Sequence, residues 1–308
     1  MDDEIRRSRL QVTRRRALSL GTVGLGGLLA ACGSDGGAGG GADAASTAAT
    51  TVETTTGTTA TVQPRTTAAA GVAALLDRAP TCTLMPEQTQ GPYWFDVDAI
   101  RSDVREDRPG TRLDLALRVH DLSACRSGGE AAPIRDAVVE IWHCDAGGRY
   151  SGYESGSSGA NGGNPPASAS PPAGGEGDGG STGGPARGSY ARGDQQAATT
   201  DDGSYLRGAQ ATGGDGIAQF TTIYPGWYTG RTVHIHLKVH LGRRTLLTSQ
   251  LYFDEQVNRA VLGRAPYDWR GGRDTTNADD GIFDRSAMLA VHRRGAGYLG
   301  VINLGVNA

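Results

Sequence analysis

At 308 residues, with a formal net charge of −3 and Lys238 as its only lysine, the chain offers no basic patch of the kind nucleic-acid binding requires. Its 48 glycines are concentrated in tracts with little to bury. The length therefore overstates the folded part and leaves one domain of ordinary size.

In chain order, TRRRAL (13–18) is followed by the apolar, glycine-rich run GTVGLGGLLAA, which ends at Cys32. The run is too short to span a bilayer and has the basic-then-apolar layout of an export signal. Arg14 and Arg15 form a pair of the twin-arginine type, and LAAC (29–32) has the form of a lipobox, so Cys32 is the expected lipidated first residue after cleavage. These features predict a signal over 1–32, an extracytoplasmic location and membrane attachment through Cys32. An ordinary secretory signal with a chance cysteine is the alternative. Residues 33–79 have almost nothing to bury and read as a flexible stalk.

Three cysteines follow Cys32: Cys82, Cys125 and Cys144. An oxidising compartment predicts one disulfide with one thiol left over. Cys125 and Cys144 flank a plausible hairpin and are the expected pair, although sequence alone does not set connectivity. No CxxC spacing occurs, which argues against these thiols as metal ligands.

From about residue 80, short alternating or β-branched apolar segments are separated by Gly, Pro, Asp and Ser. Strands are predicted at 113–122, 137–145, 216–224, 232–241, 245–253 and 298–306, as in an antiparallel sandwich or barrel. Helical patterning is sparse, with DRSAMLAVHRR (284–294) the best short candidate. A Gly/Pro/Ser-rich tract at about 155–203 reads as a disordered insertion within one domain. As a linker it would leave residues 80–153 too few to bury a core.

The stretch RTVHIHLKV (231–239) carries His234 and His236 one residue apart. On a strand both project from the same face, where one metal ion could accept two imidazoles. Lys238 and His240 continue that face, while Val233, Ile235, Leu237 and Val239 form the apolar one. HxH alone is a weak signal, and two same-face histidines on an exposed strand are as common as a metal site. Zinc or ferrous iron would recruit a third His, a Cys or a carboxylate. The other histidines form no comparable pair. Tyr228 in PGWY and Tyr150 in GGRY are the more suggestive partners, because an anionic phenolate suits a hard, trivalent ion.

These residues resemble a known family. EIWHCDAGGRYSGYE (140–154), YLRGAQATGGDGIAQFTTIYPGWYTGRTVHIHLKV (205–239) and TSQLYF (248–253), with PEQTQGPYW (86–94), are similar to the intradiol ring-cleavage dioxygenases. The ordered series GRY, PGxY, RxxHIH is far more specific than any one part. The resemblance implies an all-β, transthyretin-like antiparallel β-sandwich over 80–308 with few short helices. It also implies a mononuclear non-haem Fe(III) held by Tyr150, Tyr228, His234 and His236. Arg231 matches a family arginine that stabilises charge on the substrate, Gln250 matches a pocket glutamine, and Tyr228 matches the ligand that acts as base for a diol proton. The implied substrates are a small aromatic diol of the catechol type and O2, and the implied product is a muconate-type diacid.

Tyr93 and Trp94 are expected walls of the site. The resemblance leaves a homo-oligomer open, and nothing between Cys32 and Thr81 resembles the helical segment through which soluble catechol dioxygenases dimerise. Two other readings remain: a surface lipoprotein binding module of transthyretin-like shape without redox catalysis, and copper in place of iron.

Overall fold

Strands in both sheets carry apolar residues at alternate positions, and this sets the architecture. The computed structural model describes residues 50–53, 59–62, 70–96, 99–155, 157 and 197–308. The first strands, β1 (Thr50–Glu53) and β2 (Thr59–Val62), pair with each other as an antiparallel ribbon. A short helix, α1 (Ala70–Leu76), follows.

The first large sheet is built on β3 (Arg112–Asp121), which lies parallel to β11 (Gly297–Val306) on one edge. On its other edge it pairs antiparallel with β7 (Ile217–Ile223) and, further along, with β4 (Ala132–Pro133). β10 (Ala290–Arg294) completes this sheet beside β11. The second sheet is fully antiparallel in the order β6-β5-β8-β9, from β5 (Val138–Trp142), β6 (Arg207–Ala211), β8 (His234–Leu241) and β9 (Arg244–Tyr252).

The two sheets form an all-β sandwich with few helices. Leu113, Leu115, Leu117 and Val119 of β3, with Phe220 of β7, share one buried cluster with Val139 and Ile141 of β5 and Ile235, Leu237 and Val239 of β8. The period of two on each strand sends those side chains inward and leaves the alternate set for the outer faces. On β8 that alternate set is His234, His236, Lys238 and His240. The first three are also buried, at 2%, 2% and 8% exposure, because the segment around Gln88–Trp94 lies over them. Among the described residues no helix is long and apolar enough to cross a membrane.

The structure corrects several sequence expectations. The disulfide joins Cys82 to Cys125, with Cα atoms 5.8 Å apart, and Cys144 is free and buried. Cys144 follows β5 and is enclosed with Trp142, Tyr150 and Tyr153, whereas Cys125 lies in the 3-10 turn Ala124–Ser127 after β3, where it meets Cys82. The segment 284–294 is not a helix: Arg285–Ala287 is a 3-10 turn capped by Asp284, and Ala290–Arg294 is an edge strand recruited by β11. Helix α1 falls inside the span read as stalk, yet Val72 and Leu76 pack on Ala116, Leu299 and Val301 across the outer face of the first sheet. A second helix, α2 (Glu255–Leu262), is capped by the Asp254 carboxylate, which accepts from Gln256 N. The predicted export signal with Arg14, Arg15 and Cys32, and nearly all of the glycine-rich insertion, lie outside the described residues.

Candidate metal centre

Two tight turns bring tyrosines to the end of β8. After β5, Asp145 folds the chain back on itself: its Oδ1 accepts from Gly147 N and Arg149 N, both at 2.9 Å. This turn delivers Tyr150. The PGWY turn lies directly against it, with Gly226 N donating to Asp145 O at 3.1 Å. A Cβ at Gly226 would come within 2.6 Å of two backbone oxygens, those of Asp145 and Ala146, so glycine is required for the turns to meet. Arg270 ties them further, donating to Gly147 O at 2.8 Å and to Trp227 O.

His234 and His236 stand side by side on β8 with their Nε2 atoms 3.1 Å apart. His234 Nδ1 donates to Thr232 O at 2.7 Å, which fixes the tautomer and leaves Nε2 as the lone-pair nitrogen. Tyr228 Oη lies 3.1 Å from that same Nε2. His236 is oriented by Trp142, opposite it in the β5–β8 ladder, with the rings stacked at 5.0 Å and 6°. From the other side Gly91 approaches so closely that a Cβ would lie 3.2 Å from His236 Cε1. Tyr150 stands edge-on to Tyr228, centroids 5.8 Å apart, and 6.1 Å from His236. Its hydroxyl is buried without a hydrogen-bond partner of normal geometry. The two tyrosines differ: Tyr150 is fully buried, Tyr228 only partly.

Electrostatics follow from burial. Desolvation, with Arg231 nearby, lowers the His234 pKa to about 3, and desolvation with His234 and Arg231 drives that of His236 well below its usual value. Both imidazoles are therefore neutral ligands-in-waiting. Desolvation likewise raises the pKa of the Tyr150 and Tyr228 phenols, so ionising them calls for a strong positive charge at the point where the four side chains meet.

Arg231 supplies one fixed charge. Burial works against it, but Tyr228 and Asp280 outweigh that cost and hold its pKa above the ordinary guanidinium value. Its Nε donates to Asp280 Oδ2 at 3.0 Å and its Nη2 to Gln250 Oε1 at 2.5 Å. Gln250 in turn donates through Nε2 to Thr89 O at 3.0 Å and through its backbone N to Gln88 Oε1 at 3.1 Å. The structure thus brings together all six predicted site residues: Tyr150, Tyr228, Arg231, His234, His236 and Gln250.

Of the predicted walls, Tyr93 lies on Tyr150 with centroids 4.9 Å apart. Trp94 sits further along β8 over the Lys238 ammonium, at 3.5 Å, and donates to Glu140. Sequence reasoning missed Asp280, Gln88 and Tyr252. Tyr252 Oη lies 3.2 Å from Gln250 Oε1, and its position two residues after Gln250 on the same strand face was a usable signal. Nothing in NADDGIFD distinguishes Asp280 from its acidic neighbours. A cavity of about 310 Å³ lined by Arg108, Asp145, Arg149 and Trp269 includes none of the six residues and is not this site.

Among the described residues no three His, Cys, Asp or Glu side chains form a metal set, so an ion here depends on the tyrosines. Two neutral imidazoles with two phenols, that of Tyr150 fully buried and without a hydrogen bond of normal geometry, fit a hard trivalent cation: its charge would ionise the phenols and satisfy the Tyr150 oxygen.

No family model matches the chain, and no curated protein matches it. Among solved structures it is similar to an intradiol ring-cleavage dioxygenase from Tetranychus urticae, 28% identical over 73% of this chain and 95% of that one, with a TM-score of 0.56. A second solved dioxygenase is 29% identical over the same shares, with a TM-score of 0.57. Fold and site together define an all-β oxidoreductase with a buried His/Tyr cluster at the end of one sheet. In sequence and fold the chain is similar to the intradiol ring-cleavage dioxygenases.

Proposed function

We propose that this chain opens catechol-type rings between the two hydroxylated carbons, inserting both atoms of O2 to give a muconate-type diacid, with ferric iron held by Tyr150, Tyr228, His234 and His236. The observation that carries the reading is the convergence of the two facing Nε2 atoms, the Tyr228 hydroxyl and the buried Tyr150 hydroxyl at one point beside Arg231. When bound, the ferric ion would supply activation of the diol toward dioxygen.

The remaining roles fall to the protein. Tyr228 is partly exposed and its hydroxyl lies 3.1 Å from His234 Nε2, which suits its phenolate to accept a proton from an incoming diol hydroxyl. Tyr150 is enclosed by Trp142, Tyr153 and Tyr93 and suits a permanent anchor. Arg231, held by Asp280 and Gln250, presents a fixed cation to the negative charge that develops on the ring oxygens. The aromatic ring of Tyr93 bounds the site on the Tyr150 side and excludes water there.

The export signal and lipid attachment at Cys32 belong to the same proposal: an extracytoplasmic enzyme acting on small aromatic diols outside the cytoplasm. Fractionation with mass measurement of the mature N-terminus checks this part, and an unmodified N-terminus upstream of Cys32 would rule out the anchor.

The test of the chemistry is the visible spectrum of the purified chain, with iron quantified, before and after catechol is added under nitrogen. A tyrosinate-to-Fe(III) absorption band that moves to longer wavelength with catechol, followed by uptake of one O2 per ring on admission of air, is the expected result. A colourless protein that takes up no iron would sink the reading in favour of a binding module.

A further inference from the structure

The aromatic cluster around Tyr150 holds a second buried charge that the reading above does not use. Arg207 sits on β6 opposite Trp142 and is only 2% exposed. Its Nε donates to Ser151 Oγ at 2.8 Å and its Nη2 to the Ser151 carbonyl at 2.9 Å, and Ser151 Oγ passes the contact on to Tyr205 O at 2.7 Å. Both acceptors are neutral. Nη1 is buried with no hydrogen-bond partner. The guanidinium carbon lies 4.3 Å from the ring centroid of Phe95, 5.8 Å from that of Tyr153 and 6.0 Å from that of Tyr150.

A buried cation ordinarily carries an anionic partner, because removing it from water is costly. A guanidinium keeps its proton in a folded protein, so Arg207 carries its charge here. The groups near enough to share its charge are the Tyr153, Tyr150 and Tyr205 phenols and the Glu140 carboxylate, and Glu140 already accepts from Trp94 through both oxygens. Tyr153 Oη already donates to Trp94 O at 3.2 Å, a bond that needs its proton. Tyr150 Oη has no carbonyl acceptor of normal geometry, and the side chain it faces is the Tyr228 phenol. The guanidinium with its unpaired Nη1 and the phenol that faces Tyr228 therefore belong to one arrangement, completed when the phenol becomes a phenolate.

We propose that Arg207 is a positioning residue for Tyr150: its fork clamps the peptide that follows the tyrosine, and its unneutralised charge stabilises the phenolate that ligates ferric iron. This rests on Tyr150 being a ligand, as argued above. Phenolate-to-metal charge transfer starts from an orbital on the tyrosine, so withdrawing a neighbouring cation raises that orbital and shifts the band to longer wavelength. A role confined to folding would leave the band where it is.

The test compares the visible band and Fe(III) affinity of the full chain, wild type, Arg207→Gln and Arg207→Lys. Arg207→Gln should move the band to longer wavelength and weaken iron binding about 10- to 100-fold, the usual scale for groups that support a ligand from behind. Arg207→Lys keeps the charge and loses the fork, so its band should stay near the wild-type position while iron binds less tightly. If Arg207→Gln keeps the wild-type band and affinity, or if Arg207→Lys shifts the band as far as Arg207→Gln does, the proposal falls. Should Arg207→Gln fail to fold, Arg207→Met, which fills similar space without charge, takes its place: a band moved to longer wavelength supports the proposal and an unmoved band overturns it. A wild-type chain without iron or band would overturn the metal reading and this proposal together, whereas a wild-type band insensitive to Arg207 overturns this one only.

Discussion

At the scale of single residues, the site depends on side chains whose polar atoms are buried and pointed inward before any ion arrives. His234→Ala or His236→Ala removes one of two neutral imidazoles from a set that has no spare His, Cys or carboxylate. Either should abolish iron retention and nearly all turnover, read by iron quantification and O2 uptake. Tyr228→Phe should keep iron through the other three side chains, change the colour and slow diol activation. Asp280 acts one step back. Its side chain is 1% exposed, and its Oδ2 holds both the Arg231 guanidinium and Thr232 N. Asp280→Asn leaves Arg231 as a buried charge without its carboxylate, at a cost of about 3 kcal/mol in folding stability. It should also lower turnover while iron content holds, checked by denaturant unfolding beside steady-state kinetics. The motifs GGRY, PGWY and HIH were legible because each is local and its residue types are chemically unusual together. Asp280 was not, because its role exists only where the loop after α2 folds back onto β8.

At the scale of elements, the apolar patterning announced β3, β5, β7, β8, β9 and β11. It did not announce β6, whose RGAQA has little β character and is a strand because β5 lends it a ladder. Nor did it announce β10, where AVHRR is an edge strand completed by β11. Helix α2 was readable in principle from Asp254 at its N-cap and Gly263 after its end. Helix α1 is too short to be stable alone and exists because Val72 and Leu76 find Ala116, Leu299 and Val301. Leu76 is fully buried, so Leu76→Ala should destabilise the sandwich by about 2 kcal/mol or more, measured by urea unfolding. A loss near zero would return this segment to the status of stalk.

At the scale of the whole molecule, folding itself is coupled to pH through a histidine outside the metal centre. His143 is fully buried: Nδ1 lies 2.8 Å from Cys144 O and Nε2 2.7 Å from Thr222 Oγ1. Burial lowers its pKa to about 4, against about 6.5 in the unfolded chain. Above pH 6.5 both states are neutral and the fold is at full strength. As the pH falls from 6.5 toward 4 the unfolded chain takes up a proton that the folded one refuses, and stability declines by an amount on the order of 3 kcal/mol. Urea unfolding at pH 7, 6 and 5 should show this slope in the wild type and a shallower one in His143→Gln.

What the sequence by itself determined is the local chemistry and the period of the strands: which residues can ligate, which face of β8 they share, and that most of the chain forms a sandwich. These depend on neighbours a few residues apart, and the side-chain alternation of a strand carries them directly. The tertiary structure alone decided that Cys82 rather than Cys144 reaches Cys125, that Asp280 and Gln250 hold Arg231, and that Arg207 lies behind Tyr150. Each of those pairings joins segments far apart in the chain, and only packing two sheets face to face, with loops folded across their ends, brings them within bonding distance.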